Sequence, residues 1–303
     1  MKSLNESIPP HLYFIGSAIF HYLGPSFAVL LFARVSVNGV TWLRIVSSGI
    51  IFALWWRPWK VFVEGNRKTR LLVIELGTVL ALMNYSFYHA IYQLPLSTVA
   101  AIEFIGPILL ALIGIHSRRN IIALVLAVAG VYLLTEVRFT GKFIGYIWAF
   151  IDAVLFTFYI VLAHRISRCD NNTKSIDLLG AAMLVAVIVI TPLGIIGAIP
   201  AMSNIITIAA GFGIGISSSV IPYVFDQFAM ARLPRSTYSL FVALLPATAV
   251  AVGIIILHQF PTTIEIVAIG FVIGGVLLHR KPATDYSKSS QHYTSFINEI
   301  DMN

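Results

Sequence analysis

Residues 94–114 read LPLSTVAAIEFIGPILLALIG, and residues 233–253 read LPRSTYSLFVALLPATAVAVG. Laid end to end they pair Leu94 with Leu233, Pro95 with Pro234, Ser97 with Ser236, Thr98 with Thr237, Pro107 with Pro246 and Gly114 with Gly253, each 139 positions apart. Six matches at one offset, two of them prolines, mark an internal duplication. Both stretches are apolar blocks of the kind that continues along most of the chain.

A helix needs about 20 apolar residues to cross roughly 30 Å of hydrocarbon. Ten such blocks follow one another, near 12–33, 38–56, 69–93, 95–115, 120–136, 142–165, 176–199, 203–230, 234–257 and 261–279. The offset lays the first block on the sixth and the fifth on the tenth, so the repeating unit is five helices. Five is odd, and the second copy therefore enters the membrane in the opposite sense. The expected fold is all-α and integral to the membrane, with ten transmembrane helices as two inverted five-helix repeats. The expected organisation is a cytoplasmic N-terminus (1–11), a first repeat (12–136), a second repeat (142–279) and a disordered cytoplasmic tail (280–303).

Composition agrees: 58% hydrophobic against 11% charged residues is far from an ordinary water-soluble domain. A membrane β-barrel would alternate in polarity along short segments, which the run from Ile121 to Leu134 does not. A cleaved leader is not expected at the first block, which is long, carries His21 and Pro25 and lacks a small-x-small site.

Charge supplies orientation. If the N-terminus, the loops after even-numbered blocks and the tail share one side, that side holds sixteen of the twenty Lys and Arg residues. Arg34, Arg138 and Lys142 lie opposite, and Arg44 lies inside a block. The positive-inside rule then places both termini of a multi-pass protein in the cytoplasm. Loop anchoring also accounts for the net charge of +7, which otherwise reads as a nucleic-acid footprint. The basic linker Arg57–Arg70 suits anionic lipid headgroups as well. Cys169 is the single cysteine, which excludes an internal disulfide, and no Cys/His spacing of metal type occurs. Neither a metal nor an organic cofactor is expected.

Prolines mark where helices open. Pro107 has no amide hydrogen, so the carbonyl of Glu103 loses its helix donor. The Glu103 side chain lies on the same face, and a polar notch results. Pro25 does the same for the carbonyl of His21, Pro222 for that of Ser218, and Pro246 for that of Val242. Kinks that only improve packing are the competing reading.

Charge at depth is costly, which makes each intramembrane ionisable residue a site candidate. At about 1.5 Å per residue, Glu103, Arg44, Asn84, Tyr85 and Tyr88 fall in one layer and form the candidate substrate site. Asp226 and Gln227, near the inner end of the eighth block, suit an inner gate. His89 suits a proton relay or plain packing, and Asp152 a repeat-interface hydrogen bond or a translocation role. Glu75 and His164 lie near helix ends, where snorkelling accounts for them. Gly211-x-Gly213-x-Gly215 superficially resembles a nucleotide loop but sits inside an apolar block with no strand before it, so close helix packing is expected.

Inverted repeats around a midplane site suit alternating access, which points to a carrier. A polytopic membrane enzyme would carry clustered ionisable residues or a long catalytic loop. A zwitterion brings an ammonium and a carboxylate, which Glu103, Tyr85 and Tyr88 on one side and Arg44 on the other can meet. An organic cation would use Glu103 without Arg44.

Several of these residues form an ordered set: Thr41-x-x-Arg44, Arg57-Pro58-Trp59, Met83-Asn84-Tyr85-x-Phe87-Tyr88, Pro95, Glu103-Phe104-x-Gly106-Pro107, Pro222-Tyr223 and Leu233-Pro234 with Thr237. Together with the repeat plan, this set resembles the EamA-type carriers of the drug/metabolite transporter superfamily. Within them it is similar to the bacterial exporters of threonine and homoserine, over roughly residues 12–280. The resemblance implies efflux of a small amino acid or related metabolite by a secondary active transporter, with protons as the coupling ion in an antiport. Two positions depart from the pattern: Leu245 stands where it has a glutamate before the proline, and Gln259 where it has a loop glutamate. Coupling must then rest on Glu103, on Asp226 or on another scheme.

Overall fold

The computed structural model describes residues 10–103, 105–106, 118–136, 143–167, 175–225 and 245–278. These are helical apart from short connections: α1 (Pro10–Leu31), α2 (Val37–Trp55), α3 (Lys60–Glu64), α4 (Arg67–Gln93), α5 (Leu96–Glu103), α6 (Arg118–Glu136), α7 (Phe143–Ser167), α8 (Ser175–Met202), α9 (Ile205–Gly215), α10 (Leu245–Leu257) and α11 (Thr263–Leu278). A π-helical turn, Ile216–Val220, follows α9 directly. Among the described residues five segments are long and apolar enough to cross a membrane: Val37–Trp55, Arg67–Gln93, Phe143–Ala163, Ile176–Met202 and Ile205–Phe225. The fold is an all-helical membrane bundle.

Caps explain where several helices begin. Ser36 Oγ accepts from the Gly39 amide at 3.3 Å, and Asn66 Oδ1 from Thr69 at 2.8 Å. Asn204 Oδ1 accepts from Ile206 at 2.9 Å. At α11, Glu265 Oε2 accepts from the Thr262 amide at 2.7 Å while Thr262 Oγ1 accepts from the Glu265 amide, a reciprocal capping box. Each satisfies amide donors that the first turn of a helix cannot bond internally.

Burial sorts the helices by polarity. The span in α2, which carries Thr41, Arg44, Ser47 and Ser48, is 61% buried, whereas the more apolar spans of α7 and α8 are 22% and 33% buried. Polar side chains are thus gathered inside, and Ile188, Ile196 and Phe158 face outward, where only lipid suits them.

In the main pairings α2 lies along α8, α6 along α11 and α4 along α7. Others exchange when each helix is replaced by its counterpart at the 139-residue offset. Contact of α4 with α8 becomes α9 with α2, α1 with α10 becomes α7 with α5, and α4 with α7 becomes the π-turn with α1.

The glycine run is partly as expected. A Cβ at Gly211 would meet Leu43, and one at Gly215 would strike Ser47 Oγ and crowd the Arg44 carbonyl, so α9 can approach α2 closely only with glycine there. Gly213, between them, faces open space.

Candidate functional site

Arg44 is the centre of the described polar layer. Its guanidinium is buried, donating from Nε to Ser219 Oγ and from Nη2 to the Ser218 carbonyl, both at 3.1 Å. The Ser218 carbonyl is the one that Pro222 leaves without a helix donor, and the arginine takes the place of the missing amide. The π-turn at Ser217–Ser219 presents both acceptors on one side. Beneath the guanidinium lies the Tyr88 ring, 5.1 Å from Cζ to centroid, a cation–π contact. Ser47 and Ser48 both donate to the Arg44 carbonyl, at 2.9 and 2.7 Å, and Ser48 also to the Gly215 carbonyl at 3.1 Å. These bonds stitch α2 to α9 around the arginine.

Two buried carboxyl groups face this layer, Glu103 from α5 and Asp152 from α7. Each is within Coulombic reach of Arg44, and they are within reach of one another. Neither makes an ion pair with it: among the described residues the ion pair is Lys60–Glu64 at 4.0 Å, on the surface. Asp152 is fully buried, and neither of its oxygens has a hydrogen-bond partner among the described residues. The same is true of the Tyr22 hydroxyl of α1, which lies within Coulombic reach of both carboxyls. Pro25 is buried one turn further along α1, whose Gly24 abuts Ser218.

The predicted substrate residues thus separate. Arg44, Tyr88 and Glu103 come together, joined by Asp152, which was expected at a repeat interface or in translocation. Asn84 is buried but its amide nitrogen donates to the Leu80 carbonyl of its own helix at 2.7 Å. Tyr85, one residue on, is turned to a different face of α4. It packs against His89 at 4.5 Å and Trp148 at 5.7 Å between ring centroids. His89 stacks on Trp148 at 4.9 Å, and its Nε2 is 2.8 Å from Asn38 Oδ1. This second group borders a cavity of about 260 Å³ lined by Phe32, Ser36, Val37, Asn38, His89 and Tyr92. Phe32 separates the two regions, edge-on to Tyr88 at 6.0 Å and to Tyr92 at 5.6 Å.

Pro246 belongs to α10. Pro107, Asp226 and Gln227 lie outside the described residues, as do the first nine residues and the tail from 279. Gln259 holds the start of α5, its Oε1 accepting from the Leu96 amide at 3.2 Å. Among the described residues no group of three or more His, Cys, Asp or Glu could hold a metal ion. Tyr22 was invisible in the sequence, because an aromatic residue in an apolar helix reads as packing until its neighbours are known. The π-turn has no local signal beyond the serine run before Pro222.

Comparison with known proteins gives this layer a setting. Residues 143–280 match the EamA-like transporter family. The chain is 29% identical over 295 residues to the threonine/homoserine exporter RhtA of Escherichia coli (strain K12), covering 92% of this chain and 91% of that one. It is likewise 29% identical over 261 residues to RhtA of Salmonella typhimurium (strain SL1344), covering 82% and 84%. A solved crystal structure shares the fold with a TM-score of 0.58 at 16% sequence identity, over 89% of this chain and 95% of its own. The buried polar layer therefore sits within a multi-pass helical membrane protein whose residues 143–280 are similar to EamA-like transporters.

Proposed function

We propose that this chain is a secondary active transporter that exports a small amino acid, threonine- or homoserine-like, across the bacterial inner membrane in exchange for protons. Ten helices in two inverted repeats, with both termini cytoplasmic, form the carrier; the exchangeable helix pairings and the charge distribution support that plan. The likeness to threonine/homoserine exporters over most of both chains supports the substrate class.

The observation that carries the reading is a buried arginine held by neutral acceptors and, among the described residues, left without a carboxylate partner, with Glu103 within Coulombic reach. A buried charge normally has a counter-charge. Here that place is open to a substrate carboxylate at Arg44, with the substrate ammonium toward Glu103. Substrate ammonium and proton then compete for Glu103, and one site alternately occupied by either couples their gradients.

Proteoliposomes loaded with unlabelled L-threonine should accumulate labelled L-threonine by counterflow and should drive net uptake when a pH gradient is imposed. Counterflow with organic cations but with no amino acid refutes the reading. That second outcome, organic-cation efflux, has one observation in its favour: two carboxyl groups face a single guanidinium. Competition between L-threonine and tetraethylammonium separates the two.

A further inference from the structure

Asp152 and Tyr22 contribute three buried oxygen atoms without a hydrogen-bond donor among the described residues: both carboxyl oxygens and the phenol oxygen. Both residues are 0% exposed. They come from different helices, α7 and α1, yet lie within Coulombic reach of one another. Tyr22 shares one apolar cluster with Ala149 and Ala153, which flank Asp152 along α7, and with Ile102, the neighbour of Glu103. Burying polar oxygens unpaired costs about 1–3 kcal/mol each, and natural cores rarely leave several together. A missing ligand group explains all three at once.

The type of ligand follows from counting donors. A proton on Asp152 supplies one donor, whereas a primary ammonium supplies three, matching the three orphan oxygens. It also supplies the positive charge that two carboxyls facing one guanidinium lack. The other charged or titratable groups facing Asp152 are Glu103 from α5 and Arg44 from α2, and Arg44 is already engaged with Ser218 and Ser219. The positive end of a ligand therefore belongs on the Asp152 side, away from Arg44.

We propose that Asp152 and Tyr22, together with Glu103, form a subsite for a primary ammonium group. This rests on the transporter reading above and deepens it, dividing the layer into an ammonium end at Asp152, Glu103 and Tyr22 and a carboxylate end at Arg44.

The test is direct binding to the purified full chain in detergent, by calorimetry. Three probes are used: L-threonine, threoninol (ammonium but no carboxylate) and 2,3-dihydroxybutyrate (carboxylate but no ammonium). Asp152→Asn should raise the Kd of L-threonine and threoninol at least tenfold and leave 2,3-dihydroxybutyrate unchanged. Tyr22→Phe should weaken the same two probes by a smaller factor. Equal weakening of all three probes, or wild-type affinity for threoninol in both variants, overturns the assignment. If Asp152→Asn does not fold, Tyr22→Phe, which removes only a hydroxyl, decides alone. Threoninol binding that depends on Asp152, with no binding of L-threonine, keeps the subsite and refutes the amino-acid reading. Wild-type protein that binds none of the three refutes both.

Discussion

Replacing Arg44 by lysine keeps the charge and removes the fork. The guanidinium reaches Ser219 Oγ with Nε and the Ser218 carbonyl with Nη2, both at 3.1 Å, while lying over Tyr88. A single ammonium on a flexible stem can keep one of these bonds but not the planar pair. Losing a hydrogen bond from a charged donor costs about 1.5–3 kcal/mol, and a displaced cation–π contact adds about 0.5–1 kcal/mol. The sum is about 2–4 kcal/mol, or about 30- to 1,000-fold if it falls wholly on substrate affinity. Proteoliposome uptake of L-threonine by Arg44→Lys should show a raised KM, and the melting temperature of the purified variant should fall. A double-mutant cycle locates the cause. In a Ser219→Ala background the Nε bond is already gone, so Arg44→Lys should cost less there than in the wild type. Strict additivity, or an unchanged KM with normal melting, would refute the view that the fork organises the site.

Three further outcomes are expected. Glu103→Gln should abolish pH-driven L-threonine uptake while the protein remains folded and inserted; wild-type, pH-dependent flux in that variant would reduce Glu103 to a structural polar residue. A carboxyl-terminal green fluorescent protein fusion should be bright and the matching alkaline phosphatase fusion inactive, and the reverse pattern would overturn the inverted topology. Phe32→Ala removes the ring between the cavity and Tyr88; passive leak of L-threonine should rise without any gain in pH-driven uptake, and an unaltered leak would remove Phe32 from any barrier.

What could be read from the residues alone was whatever the local chain determines. A proline deprives the carbonyl four residues earlier whatever surrounds it, so the opening at Ser218 was legible from Pro222; that Arg44 fills it was not. Depth along a helix is likewise a matter of counting, which put Arg44, Tyr88 and Glu103 in one layer with Asn84 and Tyr85. Counting cannot give azimuth. Asn84 and Tyr88 are four apart and share a face, while Tyr85 and His89, also four apart, look toward Trp148. Tyr22 and Asp152 come from helices distant in sequence, and their missing partners emerge only when α1, α5 and α7 are packed together. The apolar blocks were legible as helices because membrane thickness sets their length, whereas the shift of Ile216–Val220 into a π-turn depends on contacts with α1 and α2.

The hydrogen bond from the Leu96 amide to Gln259 gives α5 a fixed hinge point. Gln259 belongs to the connection between α10 and α11, so that hairpin holds the far end of the helix that carries Glu103. From Leu96 to Glu103 the helix rises about 10 Å. A tilt of about 10° pivoted at Leu96 sweeps Glu103 sideways by nearly 2 Å over that ~10 Å arm, comparable to the length of a hydrogen bond. A swing of the hairpin that carried Leu96 with it would therefore shift the Glu103 carboxyl by a distance large enough to make or break a polar contact.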